Sequence, residues 1–445
     1  MSDRPIPNPD RALAARWIIT MQDDASEAVL TDHAVLLERD RIAAVVPQSS
    51  LAQTWPELPC HQLGEQALLP GLVNGHGHAA MTLMRGFADD MALESWLHER
   101  IWPLEARWVD ARFVAEGSEL AIAEMIAGGI TTYSDMYFFP EAGAAAARRC
   151  GMRAQLLAPL IKFPTAWADS VESGLHKAIE LVDEFRADPR ITIGFGPHST
   201  YTLEPKHLER IAVLAEQIDV PVQIHLHETA AEIAEGRREH GERPIDAIRR
   251  AGLFTPRLQT VHMTQLEAGD AERLAEHDVS VIHCPQSNLK LASGICPVAE
   301  LRAAGVRIGI GTDGAASNNA LSMFRELHVA ALVGKVAAAD ATALPALEVL
   351  RMATLGGAEA LGMGDVIGSI EPGKQADLIA LDMTSPACTP VFNPVSQIVY
   401  TGTEATVTNV WVAGETLLDN GLHTRMDIGE VRERALRWRD RMLAA

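Results

Sequence analysis

Cysteine is scarce in this chain. Its five residues, Cys60, Cys150, Cys284, Cys296 and Cys388, are scattered, odd in number and form no CxxC pair. That excludes a disulfide framework and a zinc knuckle, and it points to a reducing, cytoplasmic setting. Long hydrophobic runs are also missing. No stretch approaches the roughly 18 apolar residues of a membrane span. The N-terminal MSDRPIPNPDRALAARW carries charges and three prolines where a signal peptide needs an apolar core. Positive charge is in deficit too, with 38 Lys and Arg against 59 Asp and Glu, a formal net charge of −21. Phosphate backbones and anionic membrane surfaces would be repelled, so neither nucleic acid nor membrane is expected as a partner.

What is present suffices for a large core. Hydrophobic residues make up 47% of the chain, and 445 residues is long for one compact domain, so a large domain plus a small one is expected. Short alternating segments separated by polar turns fill residues 12–66, namely ALAARWIITM, AVLLERDRIAAVV and HQLGEQALLP. The same texture returns in GSIEPGKQADLIALD and ATVTNVWVAGETLLDNG. Alternation of this kind reads as β structure. The chain therefore divides into a small β-sandwich domain built from both ends (residues 1–66 and 369–427), an enclosed α/β domain (67–368) and a charged amphipathic helix (428–445). Inside the α/β part, eight strand candidates alternate with alanine-rich helices. They are ALLPGLVNGHGH, GITTYSDMY, GMRAQLLAPL, ITIGFGPHST, VPVQIHLHE, LQTVHMT, VSVIHCP and VRIGIGTDG. Eight such units predict a closed parallel (β/α)8 barrel of the TIM type.

The polar residues cluster where these strands end. Nearly every strand is apolar until its C-terminal end, where His76, His78, His198, His225, His262, His283 and Asp313 fall. Barrel enzymes build their sites on that rim. In His76-Gly77-His78 the two imidazoles are two residues apart, so an extended backbone points both the same way, toward one metal ion. His225 adds a third nitrogen and Asp313 a carboxylate. Three or four N/O donors with an open position is the arrangement of catalytic zinc, although imidazole and carboxylate suit iron(II) as well. Glu228, three residues after His225, can reach the substrate side as a general acid/base. Its structural alternative is a helix N-terminal acid favoured by the dipole.

The motifs HGH, HLHE, HM, HCPQSNLKL and GTDGAASNN occur in order, together with MTLMRGFADDMALESWL, IWPLEARW, GFGPHSTY and GKQADLIALD. In these the chain resembles the amidohydrolase superfamily. Within it, the chain is similar to the 5′-methylthioadenosine/S-adenosylhomocysteine deaminase group and its relatives, the triazine hydrolases and guanine deaminases. The resemblance implies one zinc ion held by His76, His78, His225 and Asp313. It makes Glu228 the carrier of a proton from the attacking water to N1 of a purine. His262 would steady the hydroxide, and Asp313 would help deprotonate the water. Glu105 and His198 correspond to positions that contact the nucleoside, and His283 would touch the intermediate or its leaving group. Asn288, Ser317 and Asn318 read as loop-shaping hydrogen bonders outside the site.

The same resemblance implies a hydrolytic deaminase that converts a 6-amino to a 6-oxo purine nucleoside with release of ammonia. The alternative is a related hydrolase for guanine or for a chloro- or amino-triazine. The fourth strand, ITIGFGPHST, has no lysine to carbamylate and bridge two metals, so a single metal is expected. Many relatives carry an arginine late in the third strand, where this chain has Ala158, and Arg153 occupies a different position. That favours the small, uncharged methylthioadenosine over the carboxylate-bearing S-adenosylhomocysteine, with adenosine as a further candidate substrate. Met81, Leu83 and Met84 are candidates for the wall around its 5′ group. A non-catalytic barrel would have lost a ligand or the acid, and none is lost. A nucleic-acid deaminase would need a basic groove and the H-x-E…P-C-x-x-C pattern, and this chain has neither. An isologous homodimer or higher homo-oligomer is the expected assembly.

Overall fold

The computed structural model describes residues 8–22 and 28–444. Residues 1–7 and 23–27 of the expected N-terminal β region, and Ala445 at the end of the expected C-terminal helix, lie outside the described residues. The first strands are β1 (Arg11–Ile19), β2 (Val29–Glu38), β3 (Arg41–Pro47) and β4 (Cys60–Pro70). The barrel strands are β5 (Leu72–Asn74), β6 (Ile130–Met136), β7 (Arg153–Leu160), β8 (Ile191–Pro197), β9 (Val222–Leu226), β10 (Leu258–His262), β11 (Ser280–His283) and β12 (Ile308–Ile310). They are followed by β13 (Leu378–Asp382), β14 (Val407–Val412), β15 (Glu415–Asp419) and β16 (Leu422–His423). Two eight-stranded sheets result, one in the order β16-β15-β14-β13-β4-β1-β2-β3 and one in the order β12 through β5.

The second sheet is parallel at every pairing. Its two ends meet through Gly75 N–H to the Ile310 carbonyl (2.8 Å) and Asp313 N–H to the His76 carbonyl (3.0 Å). This closes the (β/α)8 barrel. The first sheet joins both chain ends, with β4 parallel to β1 and antiparallel to β13. It folds over itself: Ile42 N–H reaches the Lys374 carbonyl (2.9 Å) and Gly373 N–H the Ile42 carbonyl (2.8 Å), so β3 returns beside the segment entering β13. The strand period of two divides its side chains between two cores. Leu68 and Leu378 join Leu13, Val35 and Trp411 inside the small domain. Their neighbours Leu69 and Ile379 face the barrel's own cluster. Both faces of these strands are covered, which is why they read as continuous apolar runs.

One expectation is corrected. The single strand expected from Ala67 into His78 is two. β4 runs on through the expected division at residues 66/67 to Pro70, and the barrel strand begins at Leu72. Pro70 has no N–H with which to continue a ladder. Gly71 passes so close to Thr131 that an added Cβ would lie 2.1 Å from its Oγ1, so only glycine makes the step from small sheet to barrel. No helix among the described residues is long and apolar enough to cross a membrane.

Arg153 sits at the seam between the domains. Its Nε donates to Asp377 Oδ2 at 2.9 Å and its Nη2 to Asp377 Oδ1 at 3.1 Å, with Gln375 Oε1 as a further acceptor. Both partners are buried, and Asp377 Oδ1 also takes the Ala413 N–H at 2.7 Å. Removing the guanidinium would strand a buried carboxylate. Arg153→Ala is therefore expected to destabilise the fold by about 3–5 kcal/mol, read as a lowered urea midpoint at unchanged slope.

Candidate metal centre and cleft

His76 and His78 leave the end of β5, and His225 lies on β9 four strands away around the barrel. Their metal-capable nitrogens lie within 4.8 Å of one another. What aims them is the other nitrogen of each ring. His76 Nδ1 donates to Gln223 Oε1 (2.6 Å), His78 Nδ1 to the Met136 carbonyl (2.7 Å) and His225 Nδ1 to the His198 carbonyl (2.7 Å). A carbonyl oxygen only accepts, so each ring carries a proton on Nδ1 and, when neutral, presents a bare Nε2. Gln223 is itself fixed, since its amide donates to the Gly75 carbonyl (3.0 Å) and to Gln259 Oε1 (2.8 Å).

The bare nitrogens then face each other. His76 Nε2 and His225 Nε2 are 3.2 Å apart, two lone pairs opposed in a buried space. Asp313 Oδ1 closes the group at 3.2 Å from His78 Nε2 and 3.5 Å from His76 Nε2. A cation among these four donors converts the repulsion into ligation, and the soft-neutral imidazoles with one carboxylate suit a zinc-like ion. The charge states of His76, His225 and Asp313 agree with that use, and His78 holds a proton toward Asp313 that a bound cation would displace. Burial lowers the His76 and His225 pKa values, the latter well below the usual range. For Asp313 burial pushes upward, but the His76 and His78 rings hold the carboxyl well below the usual carboxylate range. Burial would likewise lower His78; the same carboxylate reverses it and lifts the ring to about 9.

Asp313 is fixed from its far side. Ser287 Oγ donates to Oδ2 at 2.6 Å, Ser317 Oγ to the same oxygen at 3.0 Å, and Gly314 N–H to Oδ1 at 2.8 Å. Glu228 lies opposite, its Oε1 accepting from Ser293 Oγ (3.2 Å) and its Oε2 3.7 Å from His262 Nε2. Burial and then the Asp313 charge raise the Glu228 carboxyl to about 8, so it carries a proton over part of the neutral range. His262 in turn meets the Asn288 side-chain amide at Nδ1 (3.0 Å).

Above these groups opens a cleft lined mainly by apolar side chains. Its mouth-side wall comes from three short helices, Leu93–Trp96, Leu97–Ile101 and Trp102–Trp108, which contribute Trp96, Ile101, Trp102 and Glu105. Glu105 is buried there with Tyr137 O–H donating to its Oε1 at 2.7 Å, and burial lifts its carboxyl to about 7. His198 also lines the cleft; burial drops its pKa to about 3, so the ring is neutral. No Lys or Arg lines the cleft among the described residues. Ala158 is buried in β7 and Arg153 is committed at the domain seam.

The structure thus gathers His76, His78, His225, Asp313, Glu228 and His262 at the base of the cleft, with Glu105 and His198 on its walls. His283 is not brought in. It is buried without lining the cleft, and its Nδ1 has no partner among the described residues. The next helix supplies Asn288, which reaches His262. Met81 lines the cleft, whereas Leu83 and Met84 do not and pack in the apolar cluster around Trp96 and Phe113. Asn288 and Ser317 hold the site together, and Ser287, Gln223, Ser293 and Tyr137 do the same without having been singled out. Of these only Gln223 had a signal in the sequence, an amide two residues before His225 on the same inward face. The second histidine of HLHE is structural: His227 has a left-handed φ of 53°, and its ring bonds the Gln265 carbonyl (2.7 Å) and the Ile245 N–H (3.1 Å).

Residues 67–417 match the amidohydrolase family. The 5-methylthioadenosine/S-adenosylhomocysteine deaminase of Teredinibacter turnerae is 49% identical over 433 residues, 97% of this chain and 98% of that one. The enzyme of the same name from Saccharophagus degradans is 44% identical over 436 residues, 98% of this chain and 97% of that one. Among solved structures, an adenosine deaminase from Xanthomonas campestris with bound zinc superposes with a TM-score of 0.95 at 45% identity, covering 99% of this chain and 100% of that one. Family match, full-length relatives and superposition agree with the donor set at the barrel's C-terminal rim: this chain belongs to the amidohydrolase family.

Proposed function

We propose that this protein is a metal-dependent aminohydrolase that converts the 6-amino group of 5′-methylthioadenosine to the 6-oxo product, with release of ammonia. The observation that carries the reading is the pairing of a protonatable, buried Glu228 with four converging metal donors at the base of an apolar, cation-free cleft. The names of the most similar relatives and the zinc in the superposed adenosine deaminase support it.

His76, His78, His225 and Asp313 would hold one divalent cation, zinc before iron. Bound there, it would supply Lewis acidity and make water a nucleophile near neutral pH. The remaining work falls to the chain. Glu228, near pKa 8, takes a proton from the attacking water and delivers one to N1 of the purine, which prepares C6 for attack. His262, braced by Asn288, steadies the incoming oxygen. Asp313 Oδ2, held by two serine hydroxyls, orients the carboxylate that accepts the second water proton. That proton leaves on the departing amine. Glu105 receives the ribose hydroxyls on the oxygen that Tyr137 leaves free, and His198 contacts the nucleoside. A carboxylate-bearing 5′ group finds no cation in the cleft, which favours the methylthio substituent over S-adenosylhomocysteine. We further propose a reducing, cytoplasmic setting, supported by five cysteines free of disulfides. A homodimer or higher homo-oligomer is supported by the exposed apolar pair Leu332 and Val336 on one helix face.

Three outcomes follow. Incubated with methylthioadenosine, S-adenosylhomocysteine, adenosine, guanine and a chlorotriazine, the enzyme should deplete adenine absorbance fastest with methylthioadenosine; turnover of guanine or the triazine alone overturns the substrate. Glu228→Gln should retain its metal while kcat falls by about 10²–10⁴-fold, and a near-normal kcat at full metal occupancy removes Glu228 from the proton path. Dialysis against a chelator should abolish turnover, and added zinc should restore it.

A further inference from the structure

Glu232 is a buried carboxylate that takes no part in the chemistry above, yet it is bonded to the backbone of the residue that does. It lies in the first turn of the helix Ala230–His240, whose N-cap, Thr229, accepts the Glu232 N–H on Oγ1 at 3.2 Å. A glutamate in that place ordinarily reaches back to the capping residue's own N–H. Here it interacts with the Thr229 backbone and reaches further as well. Oε2 accepts the Glu228 N–H at 2.7 Å and Oε1 the His227 N–H at 3.2 Å. Two consecutive N–H groups converge on one carboxyl because His227 is left-handed, φ 53°, which breaks the alternation that β9 would otherwise continue. Without that turn, Glu228 would not leave the strand on the cleft side.

The other bonds of Glu228 complete a frame. Thr264 Oγ1 donates to its carbonyl at 2.7 Å and Ser293 Oγ to its carboxylate at 3.2 Å. The N–H end is held by Glu232 alone among the described residues. We infer that Glu232 is a positioning residue for the reaction: it clamps the 227–228 backbone so that Glu228 meets the purine ring, without touching substrate or metal. The inference rests on Glu228 as the proton carrier. Glu232 does not brace the metal donor His225, which donates its Nδ1–H (2.7 Å) and its backbone N–H (3.2 Å) to the His198 carbonyl.

The test compares Glu232→Ala with Glu232→Gln in the zinc-loaded enzyme, with Glu228→Gln alongside. The alanine variant should lose about a hundredfold in kcat, the scale of a misplacement near 1 Å. Its KM for methylthioadenosine should stay within about twofold, because the ligand contacts on the far wall are untouched. Metal content should remain that of the parent, and hydrogen exchange at amides 227 and 228 should accelerate. The glutamine variant keeps one acceptor for the Glu228 N–H and should recover most of kcat. Parental kcat in Glu232→Ala overturns the inference, as does loss of metal in both variants, which would make Glu232 a prop for His225. If Glu228→Gln is itself fully active, the reading of Glu228 has failed. If that variant is inactive and Glu232→Ala is not, only the role of Glu232 has.

Discussion

Three imidazole N–H groups, each bound to an oxygen on a different strand end, fix everything else in this site. With Nδ1 of His76, His78 and His225 committed to Gln223, Met136 and His198, the three Nε2 atoms have one direction left, and it is the same point in space. The cost is a cluster of opposed lone pairs in a dry interior, tolerable only beside a positive charge. Asp313 supplies the fourth donor and is tied by Ser287, Ser317 and Gly314 so that it cannot turn away. The barrel provides this by geometry: parallel strands end on one rim, and a residue at each end needs only a neighbour's carbonyl to be oriented.

A second layer sets proton affinity. Glu228 and Glu105 are both buried carboxyls raised toward neutrality by loss of water, but with different partners. Glu228 faces the Asp313 charge, which adds to the effect of burial. Glu105 has a donor, Tyr137, which opposes it. One fold thereby gives two buried carboxyls of the same cleft different proton affinities. The apolar side chains of the short helices, Trp96, Ile101 and Trp102, line the same cleft and offer no cation to a charged 5′ substituent.

Much of this could be read from the sequence because barrel strands carry their own signal, an apolar run that stops at a polar residue. The rim histidines, Asp313 and Glu228 all follow that rule. What escaped depended on local backbone or on distant loops. The break at Pro70 and Gly71 separates two strands that hydropathy runs together, since burial on both faces erases the boundary. His227 repeats the HxH spacing of His76 and His78 but turns away, because its φ is left-handed and no composition rule announces that. Ser293 and Tyr137 reach their partners across 65 and 32 residues of sequence, so only the folded chain pairs them. His283 shows the converse. A strand-end position is not sufficient, and here the neighbouring helix provides the residue that reaches the site.

The central claim is that four side chains from three strand ends converge on a single cation. X-ray absorption on the zinc-reconstituted protein tests it most directly. The account predicts one zinc per chain, surrounded by three imidazole nitrogens at about 2.0–2.1 Å with carboxylate or water oxygen completing the shell. Two zinc ions per chain, fewer than three imidazoles, or a sulfur neighbour at about 2.3 Å would contradict it.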